Sequence, residues 1–466
     1  MAGTSGKNNR TLVFFFFNFI FGFVLAQAPA EVESPRDAWR KKIAQLMIVY
    51  VDSHSDSGAL RKVYAEQLKK TSFAGVIFEN TAADATHQGD DFGKYTNGSL
   101  TGIVEIRKIA SKDLFIAEDY FHDLDPVQPK DIGEANSESC ALLYGYFAGL
   151  RMSSLGYNVL FGPIVESFQP ETTAYHMGYH ANKKLYFGTD RERLKKILPN
   201  VVHGLYLGGV IPTMKHFPYV PTTFDPHYAV GKSLRSTQEV TLDLELTADL
   251  SCRLSDRNEE PMVMSTHTYN PLIDDSIATF SHVWIREKLR TAIEERGLVM
   301  TDGLFMGGLY KKHFLNLYRK ELLGHLPTEG EKTKIIGHLV AGYSPSTHEA
   351  FKLVTSRFAQ KAILAGHDLI LLEGGPRVVN DVLETLVTLA LENTDNGKSF
   401  RENIDASVKR VSAYKKKHID LLSQDNRGVP YETEHLSAFR DAMLAKNYAA
   451  CPALVEILKL GSPRQR

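Results

Sequence analysis

The feature that most constrains the fold is a series of eight short, nearly continuous apolar runs that alternate with longer amphipathic stretches. Such runs are typical of strands buried on both faces of a parallel sheet, and the stretches between them have helical periodicity. The runs cover residues 43–51, 75–80, 113–119, 157–166, 209–217, 261–267, 297–304 and 367–374. This alternation predicts a (β/α)8 TIM-type barrel. An open doubly wound sheet is the alternative, although no GxGxxG motif follows the first run.

Ionisable residues stand at or near the ends of five of these runs. They are Glu118 and Asp119, Lys215 and His216, His267, Asp302, and Glu373. A buried strand has no structural use for such groups, because desolvating an unpaired charge costs several kcal/mol. The active sites of barrel enzymes lie at the carboxyl ends of the strands. The pattern therefore predicts a functional site at that face.

A second cluster follows the fifth run in the segment "TMKHFPYVPTTFDPHYAV", residues 213–230, where Asp225 and His227 lie two positions apart. An imidazole titrates near pH 6.5, and an adjacent carboxylate can orient it and stabilise its charged form, which suits general acid–base chemistry. A metal site formed by His216, Asp225 and His227 is a competing interpretation. Their spacing matches no common metal-binding motif, so we expect no metal and no organic cofactor.

The order of several motifs resembles the catalytic barrel of glycoside hydrolase family 3. The motifs are "KHFP" followed by "DPH", then "VMSTHTYNPLIDDSIATFSHVWIREKLR", then "GLVMTDGLFMGGL". Among the branches of that family, the bacterial β-N-acetylglucosaminidases (β-hexosaminidases) are the nearest likeness. The resemblance covers roughly residues 40–390 and is densest between 200 and 310.

The resemblance implies a retaining β-glycosidase, expected to be a β-N-acetylhexosaminidase that acts on cell-wall (peptidoglycan) glycan or a related amino sugar. It assigns Asp302 as the nucleophile, His227 as the general acid/base and Asp225 as the group that orients His227. It also suggests a set of substrate-binding residues: Asp119, Lys215, His216 and His267. For His267, an indirect role behind the residues that contact substrate is an equally good interpretation.

Three departures from the family pattern affect the sugar-binding positions. The family follows its Asp with Gln-Glu-Gly-Gly, whereas Asp119 is followed by "YFHDLDPVQ"; Lys183 and Lys184 stand where an arginine is usual; and "YVP" replaces Gly-His-Gly after "KHFP". Lysine does not reproduce the bidentate fork of arginine. These changes indicate altered sugar specificity or, alternatively, a catalytically weak carbohydrate-binding or scaffold protein. A phosphorylase and a metal-dependent hydrolase are further alternatives.

The N-terminal 26 residues have the pattern of a signal peptide. Lys7 and Arg10 precede the apolar run "TLVFFFFNFIFGFVLA", and "VLAQA" supplies small residues for cleavage after Ala26. An uncleaved anchor is the alternative, but the run is short for a membrane span of about 20 residues. We therefore expect an exported protein, periplasmic or extracellular, without stable membrane association after cleavage. The 54 basic and 55 acidic residues do not favour nucleic-acid binding.

The remaining expectations concern domains and cysteines. The catalytic barrel is predicted to cover residues 36–420, with a helical insertion at about 310–345 after the seventh strand and a short helical C-terminal extension at 421–466. The three cysteines are few, widely spaced and odd in number, so the fold is not expected to rest on disulfides, and Cys140, Cys252 and Cys451 are each expected to be a small buried apolar residue rather than a nucleophile. The sequence leaves the oligomeric state open.

Overall fold

The computed structural model describes residues 33–52, 60–79, 95–119, 124, 126–167, 185–220, 232–233, 235–306, 309, 348–419 and 433–460. Chain contacts separate residues Met1–Ser34 from a second compact unit, Pro35–Arg466. The second unit contains a closed barrel in which eight parallel strands pair in chain order and the eighth pairs with the first. The prediction of a (β/α)8 TIM-type barrel is confirmed.

The eight strands are short and buried. They are β1 Met47–Asp52, β2 Gly75–Glu79, β3 Phe115–Glu118, β4 Val159–Leu160, β5 Ile211–Phe217, β6 Met262–Ser265, β7 Val299–Gly303 and β8 Leu369–Leu372. Each lies within or almost within one of the apolar runs, but most runs extend beyond the strand. Ile43 belongs to the preceding helix, and only Val159–Leu160 of the run 157–166 form a strand, although Ile164 makes a further parallel bridge to Lys215.

Helices connect the strands and cover the barrel. They are α1 Pro35–Ala44, α2 Lys62–Lys70, α3 Tyr95–Ile109, α4 Pro129–Ala135, α5 Glu138–Ser154, α6 Arg191–Leu207, α7 Thr237–Ser255, α8 His348–Ala365, α9 Gly375–Leu391, α10 Asp395–His418, α11 Glu434–Leu444 and α12 Cys451–Ile457. Further helical segments, which are not α-helices, are Ala278–Phe280, Val283–Arg290 and Tyr448–Ala450. Side-chain caps stabilise the N-termini of several helices. Ser236 and Glu239, for example, form a capping box at the start of α7.

Helices α5 and α6 approach each other through glycines. A Cβ atom at Gly145 would lie 2.0 Å from the carbonyl oxygen of Val201, and one at Gly204 would lie 2.3 Å from that of Leu142. Backbone atoms cannot yield as a flexible side chain can, so these positions require glycine. The two helices therefore pack backbone against backbone beside β4 and β5.

Helix α10 crosses the amino-terminal face of the barrel, opposite the predicted site. Lys415 Nζ donates to the carbonyl oxygen of Ala74 just before β2, and Arg410 Nε donates to the carboxylate of Asp368 just before β8. Asp368 is fully buried and is also bonded by Arg290. The buried charge of Asp368 is tolerated because it is paired with Arg290 and Arg410. The contacts of Arg410 and Lys415 connect α10 to the barrel.

The C-terminal helices α11 and α12 pack on α5, and a disulfide joins Cys140 in α5 to Cys451 at the start of α12. The expectation that the fold does not rest on disulfides is therefore wrong, whereas Cys140 and Cys451 are both buried, as expected. The two residues are 311 positions apart, but the fold brings their Cα atoms to 5.2 Å, a normal separation for a disulfide. Cys252 is a free thiol and is exposed, so its predicted burial is also wrong.

No helix among the described residues is long and apolar enough to cross a membrane. Several predictions lie outside the described residues: the signal peptide at 1–26, the insertion at 310–345, and the first part of the C-terminal extension. The helical character predicted for the C-terminal extension is confirmed in its described part by α11 and α12.

Candidate active site

Asp302 lies in β7 at the carboxyl-terminal mouth of the barrel. Its side chain is partly exposed, and its Oδ1 accepts a hydrogen bond of 2.8 Å from the backbone N–H of Gly303. Both neighbours, Thr301 and Gly303, are buried. The strand therefore presents a single carboxylate at the mouth, on a backbone held by the barrel.

Lys215, His216 and His267 lie around Asp302, and they act against burial on the pKa of its carboxyl. Burial acts to raise the pKa of this carboxyl, but the charges of His216 and His267, the Gly303 hydrogen bond and the charge of Lys215 outweigh it. The pKa of Asp302 is consequently held below its ordinary value of 3.8. At neutral pH the group is an anion.

Lys215 and Asp119 form an ion pair across the mouth. Lys215 lies in β5 and is 7% exposed, whereas Asp119, the residue after β3, has a side chain that is 49% exposed. Lys215 Nζ donates to Asp119 Oδ1. One end of the pair is thus fixed in the barrel and the other faces solvent, where a polar ligand can reach it.

His216 is held by a carboxylate that the sequence analysis did not single out. His216 Nδ1 lies 3.2 Å from Glu166 Oε1, and Glu166 Oε2 accepts a hydrogen bond of 2.6 Å from the backbone N–H of Val220. All three residues are buried. Glu166 was detectable from the sequence, because it ends the fourth apolar run as Asp119 and His267 end the third and sixth.

His267 follows β6 and uses both ring nitrogens within the protein. Nε2 lies 2.9 Å from the carbonyl oxygen of Gly303, and Nδ1 lies 2.8 Å from Oγ1 of Thr279. A carbonyl oxygen only accepts, so Nε2 carries a hydrogen. His267 is 1% exposed and contacts the carbonyl group of Gly303, the residue after Asp302. Direct binding of substrate by His267 stays a prediction, and its visible contacts fit an indirect role.

Glu373, which follows β8, packs directly against Gly303. A Cβ atom on Gly303 would lie 2.6 Å from Glu373 Oε1 and 3.5 Å from Met306. Glycine at 303 therefore lets the Glu373 carboxylate lie over the backbone next to Asp302. The seventh and eighth strands each bring a carboxylate to the same edge of the mouth.

Two predicted catalytic residues, Asp225 and His227, lie outside the described residues, as do Lys183 and Lys184. The structure brings together the other five predicted positions, which come from β3, β5, β6 and β7: Asp119, Lys215, His216, His267 and Asp302. Within the described part of the chain, no group of three or more His, Cys, Asp and Glu residues is arranged to hold a metal ion.

This arrangement suits an anionic nucleophile beside polar ligand-binding groups. An ionised carboxylate at a strand end can attack an electrophilic carbon directly, and the nearby Lys215, His216 and His267 favour its ionised form. The Lys215–Asp119 pair offers a donor and an acceptor for hydroxyl groups. Because parallel strands carry these groups, their relative positions are fixed by the barrel.

A family model described as "Glycosyl hydrolase family 3 N terminal domain" matches residues 38–321. A curated relative named Beta-hexosaminidase, from Pseudomonas aeruginosa (strain LESB58), is 27% identical over 177 residues. That alignment covers 38% of this chain and 49% of the relative. The chain therefore spans about half the length of this curated relative.

Two solved structures share the fold. One is a glycoside hydrolase family 3 β-N-acetylglucosaminidase from Paenibacillus sp. str. FPU-7, with a TM-score of 0.61, 18% identity and coverage of 87% of this chain and 68% of that one. The other is a beta-N-acetylhexosaminidase from Beutenbergia cavernae DSM 12333, with a TM-score of 0.58, 17% identity and coverage of 81% and 98%. At these identities the likeness shows the barrel fold alone.

Proposed function

The chain belongs to glycosyl hydrolase family 3, and from this membership we propose that it is a retaining β-N-acetylhexosaminidase. Its substrate class is an amino-sugar glycan such as a fragment of peptidoglycan. The observation that carries the proposal is the ionised Asp302 at the end of β7, whose pKa is kept low by His216, His267 and Lys215 against the effect of burial. A nucleophilic carboxylate must be ionised when substrate binds.

The proposed reaction has two displacements at the anomeric carbon. Asp302 attacks that carbon, a covalent glycosyl-enzyme ester forms, and the bond to the leaving oxygen breaks. The leaving oxygen takes a proton from His227. Water then attacks the same carbon, gives a proton back to His227 and releases Asp302. The configuration of the sugar is retained because it is inverted twice.

His227 and Asp225 are proposed to act as one unit in both steps. A histidine with a pKa near 6.5 can give and take a proton close to neutral pH, and the adjacent carboxylate stabilises its charged form. Lys215, Asp119 and His216 are proposed to bind sugar hydroxyls. The ion pair between Lys215 and Asp119 supports this role, since it holds a donor and an acceptor at the mouth before substrate arrives.

Export is also part of the proposal. It is supported by the N-terminal run after Lys7 and Arg10, and by the disulfide between Cys140 and Cys451, because disulfides persist mainly in oxidising compartments. Secretion from cells, followed by N-terminal sequencing of the mature protein, tests it. A mature chain that begins after Ala26 is expected, and an intact N-terminus in the cytoplasm would overturn it.

The activity is tested by hydrolysis of an aryl β-N-acetylglucosaminide by wild type, Asp302→Ala and His227→Ala. Asp302→Ala is expected to abolish turnover. His227→Ala is expected to lose little on an activated aryl substrate and about 100-fold or more on an unactivated alkyl glycoside, since only the latter needs protonation. An aryl β-glucoside serves as the matched substrate control.

The outcomes separate the alternatives. If wild type binds glycan but hydrolyses neither aryl glycoside, the result would favour a carbohydrate-binding protein over an enzyme. Turnover that requires added phosphate and yields a sugar phosphate would make the chain a phosphorylase. Inverted configuration in the first-formed product, read by NMR, would contradict Asp302 as a nucleophile.

A further inference from the structure

The hydroxyl of Thr279 lies between a ring nitrogen of His267 and a backbone carbonyl group. Its oxygen, Oγ1, is 2.8 Å from His267 Nδ1 and 2.9 Å from the carbonyl oxygen of Thr266, to which it donates. None of the three residues is more than 1% exposed. A hydroxyl group has one hydrogen, and a carbonyl oxygen can only accept. Because the Thr279 hydrogen is given to Thr266, the bond to Nδ1 needs a hydrogen from His267.

The second ring nitrogen of His267 also carries a hydrogen. Nε2 lies 2.9 Å from the carbonyl oxygen of Gly303, which accepts and cannot donate. A ring with hydrogens on both nitrogens is an imidazolium and has a positive charge. The two distances, 2.8 and 2.9 Å, fit charge-assisted N–H···O bonds, which are about 2.7 to 2.9 Å long. The hydrogen bonds around the ring therefore favour the charged form of His267.

The buried ring of His367 has the opposite arrangement and serves as a comparison. Its Nδ1 lies 2.9 Å from the carbonyl oxygen of Ala362, and its Nε2 lies 2.8 Å from Oγ of Ser265. Among the described residues this serine hydroxyl has no other hydrogen-bond partner, so it can donate to Nε2. Burial lowers the pKa of His367 to about 4, and the charge of His267 acts in the same direction. His367 is therefore neutral at pH 7, and the two rings differ in where the neighbouring hydroxyl sends its hydrogen.

A buried positive charge needs a counter-charge, and Asp302 supplies it. His267 is bonded to the residue after Asp302, and its charge is one of the effects that lower the pKa of the Asp302 carboxyl. Glu373, which follows β8, packs against that same residue and brings a second carboxylate to it. Lys215 and His216 from β5 oppose a further positive charge, but each is already paired with a carboxylate. The described surroundings can therefore hold a charged ring at this position.

We infer that His267 is a positioning residue, held as an imidazolium by Thr279 and Gly303, whose fixed charge keeps Asp302 ionised. The inference rests on the proposed function, because it concerns the nucleophile of that reaction. His267 acts without contacting substrate, and no proton leaves it in either displacement. Its charge should matter most in the second displacement, when water attacks the anomeric carbon, the ester bond breaks and the electron pair returns to Asp302. A carboxylate leaves more readily next to a positive charge.

The charge of the ring is measured directly by ¹⁵N NMR of wild type labelled at its histidine rings. At neutral pH both nitrogens of His267 are expected to carry hydrogens, although an ordinary imidazole with a pKa near 6.5 is mostly neutral there. His267→Gln identifies the signals by their loss, and the Thr279 variants described next identify them by their shift. His367 is the internal reference, with one protonated nitrogen. A single protonated nitrogen on His267 would overturn the inference, whatever the activity.

Thr279→Val removes the oxygen that accepts from Nδ1 and keeps the shape of the side chain. The His267 ring is then expected to keep only its Nε2 hydrogen, and the pKa of Asp302 to rise because a positive neighbour is lost. The acid limb of kcat/KM on an aryl β-N-acetylglucosaminide should move to higher pH, because the ionised form of Asp302 is lost earlier on acidification. The loss should be roughly 10-fold on that limb and less than about twofold at the pH optimum. Thr279→Ser, which keeps the hydroxyl, should behave like wild type.

Thr247→Val is the matched control, since Thr247 is a buried threonine of α7 whose hydroxyl donates to the carbonyl oxygen of Asp243. Its pH profile should superimpose on that of wild type. An equal loss at all pH values in Thr279→Val, or an acid limb that does not move, would overturn the inference and leave the hydrolase intact. An inactive wild type would overturn the proposed function instead. If Thr279→Val does not fold, the NMR spectrum of wild type still decides whether His267 is charged.

Discussion

At the scale of single residues, the site is defined by the charge balance around Asp302. Its carboxylate is buried enough to be desolvated, yet it stays ionised because His216, His267 and Lys215 lie close. Each of these three side chains is itself held by the protein: His216 by Glu166, His267 by Gly303, and Lys215 by Asp119. A substitution at any one of them should therefore appear in the titration of Asp302.

Lys215→Met is expected to move the acid limb of kcat/KM to higher pH. Removing this positive charge raises the pKa of Asp302, so the ionised form is lost at a higher pH as the solution is acidified. Loss of a charged hydrogen bond to sugar should also lower kcat/KM about 10- to 100-fold. The measurement is the pH profile on an aryl β-N-acetylglucosaminide.

Lys195→Met is the matched control, since Lys195 pairs with Glu192 on the outer helix α6. Its profile should superimpose on that of wild type. If the acid limb of the kcat/KM profile is not shifted in Lys215→Met, that limb reflects the titration of a group other than Asp302.

The residues of the site were only partly predictable from the sequence. Asp302, Lys215 and His216 were found because charges at the ends of buried strands have no structural use, and the structure brings them together. Glu166 gave the same signal but was not singled out. The partners of His267 were not detectable, because Thr279 and the carbonyl group of Gly303 become neighbours of the ring only in the folded barrel.

At the scale of elements, helix α10, which crosses the amino-terminal face of the barrel, carries an unfavourable buried charge. Lys415 donates to the carbonyl oxygen of Ala74 and lies 4.7 Å from the ring centre of Phe115. Burial lowers the pKa of Lys415 from 10.5 to about 8, and only the charge of Asp113 opposes this effect. The lysine is therefore still mostly charged at pH 7 and costs stability there.

Lys415→Met is expected to raise the free energy of unfolding at pH 7 by about 2 kcal/mol. The lowering of the Lys415 pKa from 10.5 to about 8 corresponds to a destabilisation of the folded state of roughly 3 kcal/mol, at about 1.4 kcal/mol per pKa unit, which the substitution removes. Loss of the hydrogen bond to Ala74 offsets about 1 kcal/mol of this gain. Ala74 keeps a second donor, the N–H of Phe115. Chemical denaturation gives the value.

The pH dependence of stability tests whether the buried charge of Lys415 is the cause. The folded-state pKa of Lys415 is below the unfolded one, so the wild type gains stability as pH rises from about 8 to 10.5, and the advantage of Lys415→Met should shrink over that interval. Lys416→Met, an exposed neighbour on the same helix, should change stability by less than about 0.5 kcal/mol. A constant advantage at all pH values would point to packing rather than charge.

The strands and helices were more predictable from the sequence than the contacts between them. The eight strands follow from continuous apolar runs, because both faces of each strand are covered. The strand ends were overestimated, since apolar residues also line the connections, as Ile43 does in α1. The backbone contact of α5 with α6 through Gly145 and Gly204 depends on the crossing of two helices, which periodicity within each helix does not specify.

At the scale of the whole molecule, the disulfide ties the last helix to α5. It links Cys140 and Cys451, both fully buried, and the intervening chain contains most of the barrel. Sequence spacing could not reveal the pair, because only the path of the folded chain brings the two residues together. Long closed loops are those in which a disulfide restricts the unfolded chain most.

Replacing both partners, as Cys140→Ala with Cys451→Ala, is expected to lower the free energy of unfolding by about 3 to 5 kcal/mol. The measurement is denaturant unfolding under oxidising conditions. Wild type treated with a reductant should behave like this double variant, whereas Cys252→Ala, which alters the exposed free thiol, should be neutral. Unchanged stability in the double variant would show that the helices α11 and α12 hold by packing alone.

The same cross-link changes how the protein would respond to being cut. Because Cys140 and Cys451 close a ring of 311 residue steps, a protease that cleaves one peptide bond anywhere between them opens the ring without releasing a fragment. The barrel strands from β4 to β8 all lie on this ring. A nicked molecule would stay covalently whole until its disulfide is reduced, which would favour survival where proteases are common.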